Sequence, residues 1–192
     1  MQRRHVLQML GGGVIAACVP LRANANVLQH GHIVSLRCLS TEPGQARLLD
    51  GRTGNGTVGL APHTDPPFTG TWWKVLQAGN FFTLQCLGKI PGAGRWLDGR
   101  IADNTVGLAP TRQIPPFTGT RWEVHSMPGD GEVVALRCAA APQDGGWLEG
   151  RIGEGAVRIL PTVKRPFDSI SWEARLPSVT IDPGTNQNPV NE

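Results

Sequence analysis

Three acid–glycine–arginine triplets are the residues best suited to chemistry: Asp50-Gly51-Arg52, Asp98-Gly99-Arg100 and Glu149-Gly150-Arg151. A carboxylate accepts hydrogen bonds from hydroxyl donors, and a guanidinium donates a planar fork to oxygen acceptors. Side by side on one face of a strand, the two can hold a polyhydroxylated ligand. Trp96 and Trp147 stand two residues before Asp98 and Glu149 and add apolar plates on which a sugar ring can stack; Leu48 takes that place in the first triplet. The competing reading is a salt bridge between strand neighbours, which at a surface contributes roughly 0–1 kcal/mol and binds nothing. Trp72 is a further ligand candidate. It adjoins Trp73, so in a strand it faces the opposite way, and Arg121 occupies the matching place in the second copy. Packing within a loop is the alternative for Trp72.

Other chemistries lack their residues. His30, His32, His63 and His125 are scattered, and no Ser/His/Asp or Cys/His set, metalloprotease helix motif or phosphate-cradling loop is recognisable. Cys38, Cys86 and Cys138 have no His or second Cys at ligand spacing, so no metal and no cofactor is expected. The acids recur at equivalent positions, which speaks for structure or binding, since active sites generally break internal symmetry. The chain therefore reads as a non-enzyme.

The triplets belong to a longer repeat. "HIVSLRCLSTEPGQARLLDGRTGNGTVGLAPHTDPPFTGTWWKV", "NFFTLQCLGKIPGAGRWLDGRIADNTVGLAPTRQIPPFTGTRWEV" and "EVVALRCAAAPQDGGWLEGRIGEGAVRILPTVKRPFDSISWEA" can be laid over one another. A period near 50 limits the architecture to propellers, solenoids or closed pseudo-symmetric barrels. Each copy holds four short stretches in which apolar and polar residues alternate, the period of a half-buried strand. Leu36, Leu84 and Leu136 are expected in the core, with Leu49, Leu97 and Leu148. Leu60, Leu108 and either Ile159 or Leu160 complete the set. Gly51, Gly99 and Gly150 fall on the inward face, while the acid–arginine pairs point outward. Trp73, Trp122 and Trp172 recur at one position and are assigned to packing. No sustained i, i+3, i+4 pattern occurs, so essentially no helix is expected.

The pattern "F-x-L … W-L … V-G-L … W-x-V" resembles the repeat of the fascin-like branch of the β-trefoil superfamily, over about residues 27–176. The resemblance implies an all-β fold of three pseudo-symmetric four-stranded repeats, at about 27–75, 76–124 and 125–176. The Gln-x-Trp of ricin-type trefoils is absent, so their galactose chemistry is not carried over. Exported trefoils that resemble this chain often bind sugars. The resemblance therefore implies a carbohydrate-binding module; the rival is a protein-interaction or inhibitor trefoil acting through the asymmetric loop 62–73.

Residues 1–25 read as an export signal. Arg3-Arg4-His5-Val6-Leu7-Gln8 resembles a twin-arginine motif, a short glycine-broken apolar run follows, and Ala23-Asn24-Ala25 offers a cleavage site. Ile15-Ala16-Ala17-Cys18 resembles a lipobox, so lipidation at Cys18 is the alternative. The domain spans 26–176, and 177–192 reads as a flexible tail. Removing Arg3, Arg4 and Arg22 leaves 15 basic against 15 acidic side chains. Without a cluster of Lys and Arg to replace phosphate counterions, nucleic acid is excluded as a partner. Export is expected to leave the protein periplasmic or secreted. The three equivalent cysteines fit a route that carries folded protein from the reducing cytoplasm.

Overall fold

The computed structural model describes residues 28–65, 69–92, 94–112, 119–128, 132–163 and 167–177. The leader with Cys18, and the tail beyond 177, lie outside the described residues. Each repeat makes four strands because each carries the same four alternating stretches. The first repeat contributes β1 (Ile33–Cys38), β2 (Leu48–Arg52), β3 (Thr57–Ala61) and β4 (Trp73–Ala78). The second contributes β5 (Phe81–Cys86), β6 (Trp96–Arg100), β7 (Thr105–Ala109) and β8 (Trp122–Ser126). The third contributes β9 (Val133–Cys138), β10 (Trp147–Arg151), β11 (Ala156–Leu160) and β12 (Trp172–Arg175). Among the described residues the only helical pieces are three short 3-10 turns, Thr69–Thr71, Ile152–Glu154 and Asp168–Ile170.

Six strands close on themselves. β1 pairs antiparallel with β4 and β12, β4 with β5, β5 with β8, β8 with β9, and β9 with β12. Closure leaves this ring without a free edge. The other six strands form the hairpins β2–β3, β6–β7 and β10–β11. Their second strands meet as a triangle at Thr57↔Gly107, Thr105↔Arg158 and Ala156↔Gly59. Exchanging each repeat for the next maps this pairing pattern onto itself, which is the threefold arrangement expected from the repeats.

The core repeats with the strands. Leu36, Leu84, Leu136, Leu49, Leu97, Leu148, Leu60, Leu108 and Ile159 are all buried, and Leu160 is not. The register Leu148↔Ile159, matching Leu49↔Leu60 and Leu97↔Leu108, settles that third-copy choice. Trp73, Trp122 and Trp172 are fully buried, and each indole N–H donates to a strand carbonyl: Leu49 O at 3.0 Å, Leu97 O at 3.1 Å and Leu148 O at 2.9 Å. A buried indole needs that partner, so the tryptophan pins its own repeat's hairpin to the barrel.

The glycine of each triplet is sterically required. A Cβ on Gly51 would fall 2.6 Å from Cys86 Sγ and 3.0 Å from Trp73 Cη2. On Gly99 it would fall 2.9 Å from Cys138 Sγ, and on Gly150 2.6 Å from Cys38 Sγ. The thiol of the next repeat thus fills the space that a side chain would take. All three thiols are buried and unpaired, and their Sγ–H groups donate to backbone carbonyls, as Cys86 does to Gly51 O at 3.3 Å. Burial raises their pKa values, that of Cys138 to about 11, so they pack as small apolar groups and are poor nucleophiles.

Candidate functional site

Alternation along β2, β6 and β10 puts each acid and arginine on the face opposite the core leucine. That face is not open to water at the acid. Asp50 is 4% exposed and Glu149 6%, which corrects the expectation of outward, exposed pairs. The segment before the last strand of each repeat folds over the triplet. A Cβ on Gly70 would lie 2.7 Å from Asp50 Oδ1, and one on Gly119 would lie 2.3 Å from Asp98 Oδ1. In the third repeat Ser169 occupies this place, and its Oγ–H donates to Glu149 Oε1 at 3.2 Å.

The arginines remain half exposed in the first two repeats. Arg52 Nε stands 3.7 Å from Asp50 Oδ2, and Arg100 Nε stands 3.6 Å from Asp98 Oδ2. Each guanidinium lies across the hairpin over a glycine: a Cβ on Gly59 would be 2.8 Å from Arg52 Nη2, and one on Gly107 would be 2.5 Å from Arg100 Nη2. The third repeat carries Arg158 at that position, opposite Glu149, and Arg158 Nε donates to Glu149 Oε2. Arg151 turns away to Glu42 Oε1 at 3.6 Å and Glu154 Oε1 at 2.7 Å. In the third triplet both charges are therefore met by neighbouring residues, whereas Arg52 and Arg100 stay half exposed beside their acids.

The first triplet opens onto a cleft of about 260 Å³ lined by Asp50, Arg52, Thr53, Asn55, Gly70 and Ile90. Ile90 comes from the β5–β6 loop of the second repeat, and the cleft lies where two repeats meet. Thr53 Oγ–H donates to Ile90 O at 2.6 Å and holds that loop against the hairpin tip. Asn55 Oδ1 accepts from the N–H and Oγ–H of Thr57 at 3.1 and 2.8 Å, leaving its NH2 as the group to donate.

Burial pushes the Asp50 and Asp98 carboxyls above their ordinary values, and Arg52 and Arg100 pull them partly back. An acid with a raised folded-state pKa stabilises the fold most below its unfolded pKa. It loses that contribution as pH rises through the folded value. Ionising either carboxylate therefore works against the fold, because burial favours the neutral form. Asp168 is the opposite case. Thr41 donates to its Oδ2 through Oγ–H at 2.6 Å and N–H at 3.1 Å, and these bonds lower its pKa while tying the third repeat to the first.

Twelve strands arranged as a six-stranded ring with three capping hairpins are similar to several solved structures. A GlcNAcα1-4Gal-releasing endo-β-galactosidase from Clostridium perfringens superposes with a TM-score of 0.58 at 12% identity, covering 76% of this chain. A BEL β-trefoil, in an apo crystal form, gives 0.57 at 18% identity over 79% of this chain and 97% of its own. The fold is a β-trefoil. SeviL bound to asialo-GM1 saccharide shares it, with a TM-score of 0.53 at 11% identity over 77% of this chain and 98% of its own. At such identities the likeness concerns the fold alone. The trefoil spans 32% of the length of the endo-β-galactosidase it matches. No protein-family model and no curated protein matches the chain.

Within the trefoil the tryptophans separate from the triplets. Trp147 sits at the barrel end of β10 opposite Arg137, its ring edge-on to His125 with centroids 5.0 Å apart. Trp96 takes the equivalent place opposite Gln85. Both are half-buried on the barrel wall, and neither lines the cleft at Asp50. Trp72, for which an outward ligand role and packing within a loop are both open from sequence, is also half-buried. Its equivalent Arg121 places its guanidinium 3.9 Å over the Phe81 ring. Ile90 supplies the apolar surface of the cleft instead, and the reading of the triplets did not include it. Its signal was an apolar residue inside the Gly/Pro-rich turn "LGKIPGAG", where the first repeat has Glu42. Among the described residues no group of three His, Cys, Asp or Glu is placed to hold a metal, and no helix is long and apolar enough to cross a membrane.

Proposed function

We propose that this trefoil is a non-catalytic carbohydrate-binding module whose site is the cleft at Asp50 and Arg52. The observation that carries the reading is a buried carboxylate beside a half-exposed guanidinium in an open cleft. A sugar presents adjacent hydroxyls that both donate and accept. One donates to Asp50 and the next accepts from Arg52 or the Asn55 amide, so the ligand supplies the donors that burial denies the carboxylate. The saccharide complex of SeviL, on the same fold, supports the ligand class.

A glycan array with the protein is expected to give ligands whose binding depends on Asp50. Loss of a hydrogen bond to a charged group amounts to roughly 1.5–3 kcal/mol, so Asp50→Asn should weaken binding about 10- to 150-fold. Binding should also weaken as pH falls, with a midpoint above the ordinary carboxylate range because Asp50 titrates high. Glu149→Gln is the control, since that acid is already paired with Arg158 and Ser169, and should bind as the parent does. An Asp50→Asn variant that binds every array ligand unchanged would sink the assignment. A protein partner held through 62–73 would instead survive Asp50→Asn and be lost in Trp72→Ala.

We also propose export through the twin-arginine-type leader, which the three unpaired thiols of the domain support. Arg3→Lys with Arg4→Lys should strand uncleaved precursor in the cytoplasm, seen by fractionation and blotting. Undiminished export would assign the leader to the general secretory route. Mass spectrometry of the mature N-terminus then distinguishes Asn26 from a lipidated Cys18.

A further inference from the structure

We infer that the Asp50 cleft selects saccharides bearing a methyl group, either an acetamido sugar or a 6-deoxy sugar, and that Ile90 is the residue that reads it. The inference rests on the carbohydrate reading above. Ile90 is 58% exposed and is the one exposed large apolar residue that lines the cleft. Its exposure is enforced by its surroundings. Thr53 holds its carbonyl at 2.6 Å, and Gly54 leaves space beside its side chain: a Cβ there would sit 3.1 Å from Ile90 Cγ2. Two residues on, a Cβ at Gly92 would fall 1.6 Å from Thr53 O, so the loop backbone lies directly on the hairpin tip. The isoleucine is therefore fixed at the rim.

Comparison of the repeats isolates what this position does. At the third triplet the equivalent residue is Glu42, which pairs with Arg151 and accepts from Gly153 N–H at 3.2 Å. There the loop neutralises the arginine. Ala141 follows the same register at the second triplet, and its carbonyl accepts from Arg137 Nη2 at 3.1 Å. Only the first triplet combines a half-exposed arginine, a buried carboxylate and a branched apolar side chain. A hydroxyl set against Ile90 would lose water without gaining a partner, whereas a methyl group there gains apolar contact. The rim thus discriminates between two sugars whose shared hydroxyls Asp50 and Arg52 hold alike.

The test compares matched sugars by isothermal titration: N-acetylglucosamine with glucose, N-acetylgalactosamine with galactose, and L-fucose with L-galactose. In at least one pair the methyl-bearing member should bind about fourfold tighter or better, the effect of burying one methyl-sized group. The first two pairs report an acetamido source and the third a 6-deoxy source. Ile90→Ala should bring that ratio close to one while retaining binding. Ile90→Glu, which copies Glu42, should abolish binding of both members by occupying Arg52. Both variants should keep the parent circular dichroism, because the side chain is mostly exposed. Equal affinities within every pair, a preference that persists in Ile90→Ala, or an Ile90→Glu that binds as the parent would each overturn the inference alone. Failure of all six sugars to bind would overturn it together with the carbohydrate reading.

Discussion

Trp122→Ala is expected to lower the melting temperature by on the order of 10–20 °C, while Trp72→Ala costs far less. Trp122 is fully buried and donates its indole N–H to Leu97 O at 3.1 Å. Truncating such a side chain leaves a cavity and costs about 3–5 kcal/mol, and each kcal/mol moves the midpoint by roughly 2–4 °C in a domain of this size. Leu97 O also loses its partner, which adds to the loss in a site that water does not reach. Typical domains have only ~5–15 kcal/mol in hand, so the variant should be close to unfolding at physiological temperature. Trp72 lies one residue before β4, on the opposite phase, and is half-buried. Its removal should cost on the order of 1 kcal/mol, since burying a whole large side chain is worth roughly 1.5–3 kcal/mol. Thermal melts of the two variants run side by side decide the matter. A Trp72→Ala that unfolds while Trp122→Ala does not would reverse the phase assigned to the last strand of each repeat.

Gly70→Ala should both destabilise the domain and disrupt its cleft. A Cβ at Gly70 would fall 2.0 Å from Gly51 O and 2.7 Å from Asp50 Oδ1. The first of these is backbone in a strand that cannot yield, so the Thr69–Thr71 turn must lift. Overpacking of this kind costs typically 1–3 kcal/mol. The lifted turn no longer shields Asp50, and water reaches the carboxylate. Gly119→Ala meets Asp98 Oδ1 at 2.3 Å but Gly99 O only at 3.1 Å. There the closest atom is the end of a side chain that can rotate, so the smaller loss is expected. Chemical denaturation of the two variants, with sugar titrations of each, tests the ranking. Equal stability of the two would mean that the turn over Asp50 adapts without strain.

The third repeat shows how such a turn changes when its glycine is replaced. Thr-Gly-Thr becomes Asp168-Ser169-Ile170, the acid lengthens from Asp to Glu149, and Arg158 enters where Gly59 and Gly107 stand. Each replacement is visible in the repeat alignment. Their joint meaning is not, because Ser169, Glu149 and Arg158 reach one another only after β10–β11 forms and the 3-10 turn folds across it. The two-residue spacing from Trp147 to Glu149 gave the contrary impression of a shared platform. Residues two apart on a strand do share a face, but they stand roughly 7 Å apart. Over that distance Trp147 meets His125 on the barrel wall while Glu149 lies under Ser169.

By itself the sequence determined the twelve strands, the leucine layers, the three packing tryptophans and the inward glycines. These follow from alternation within five or six residues and from a repeat that poses the same packing problem three times, so short-range pattern carries them. The tertiary structure alone decided which triplet stays open. That choice depends on contacts between repeats: Glu42 reaching Arg151, and Ile90 resting beside Gly54. Such contacts form only when the six-stranded ring closes and brings each loop onto its neighbour's hairpin. The sequence contains every one of these residues, but ring closure sets the distances between them.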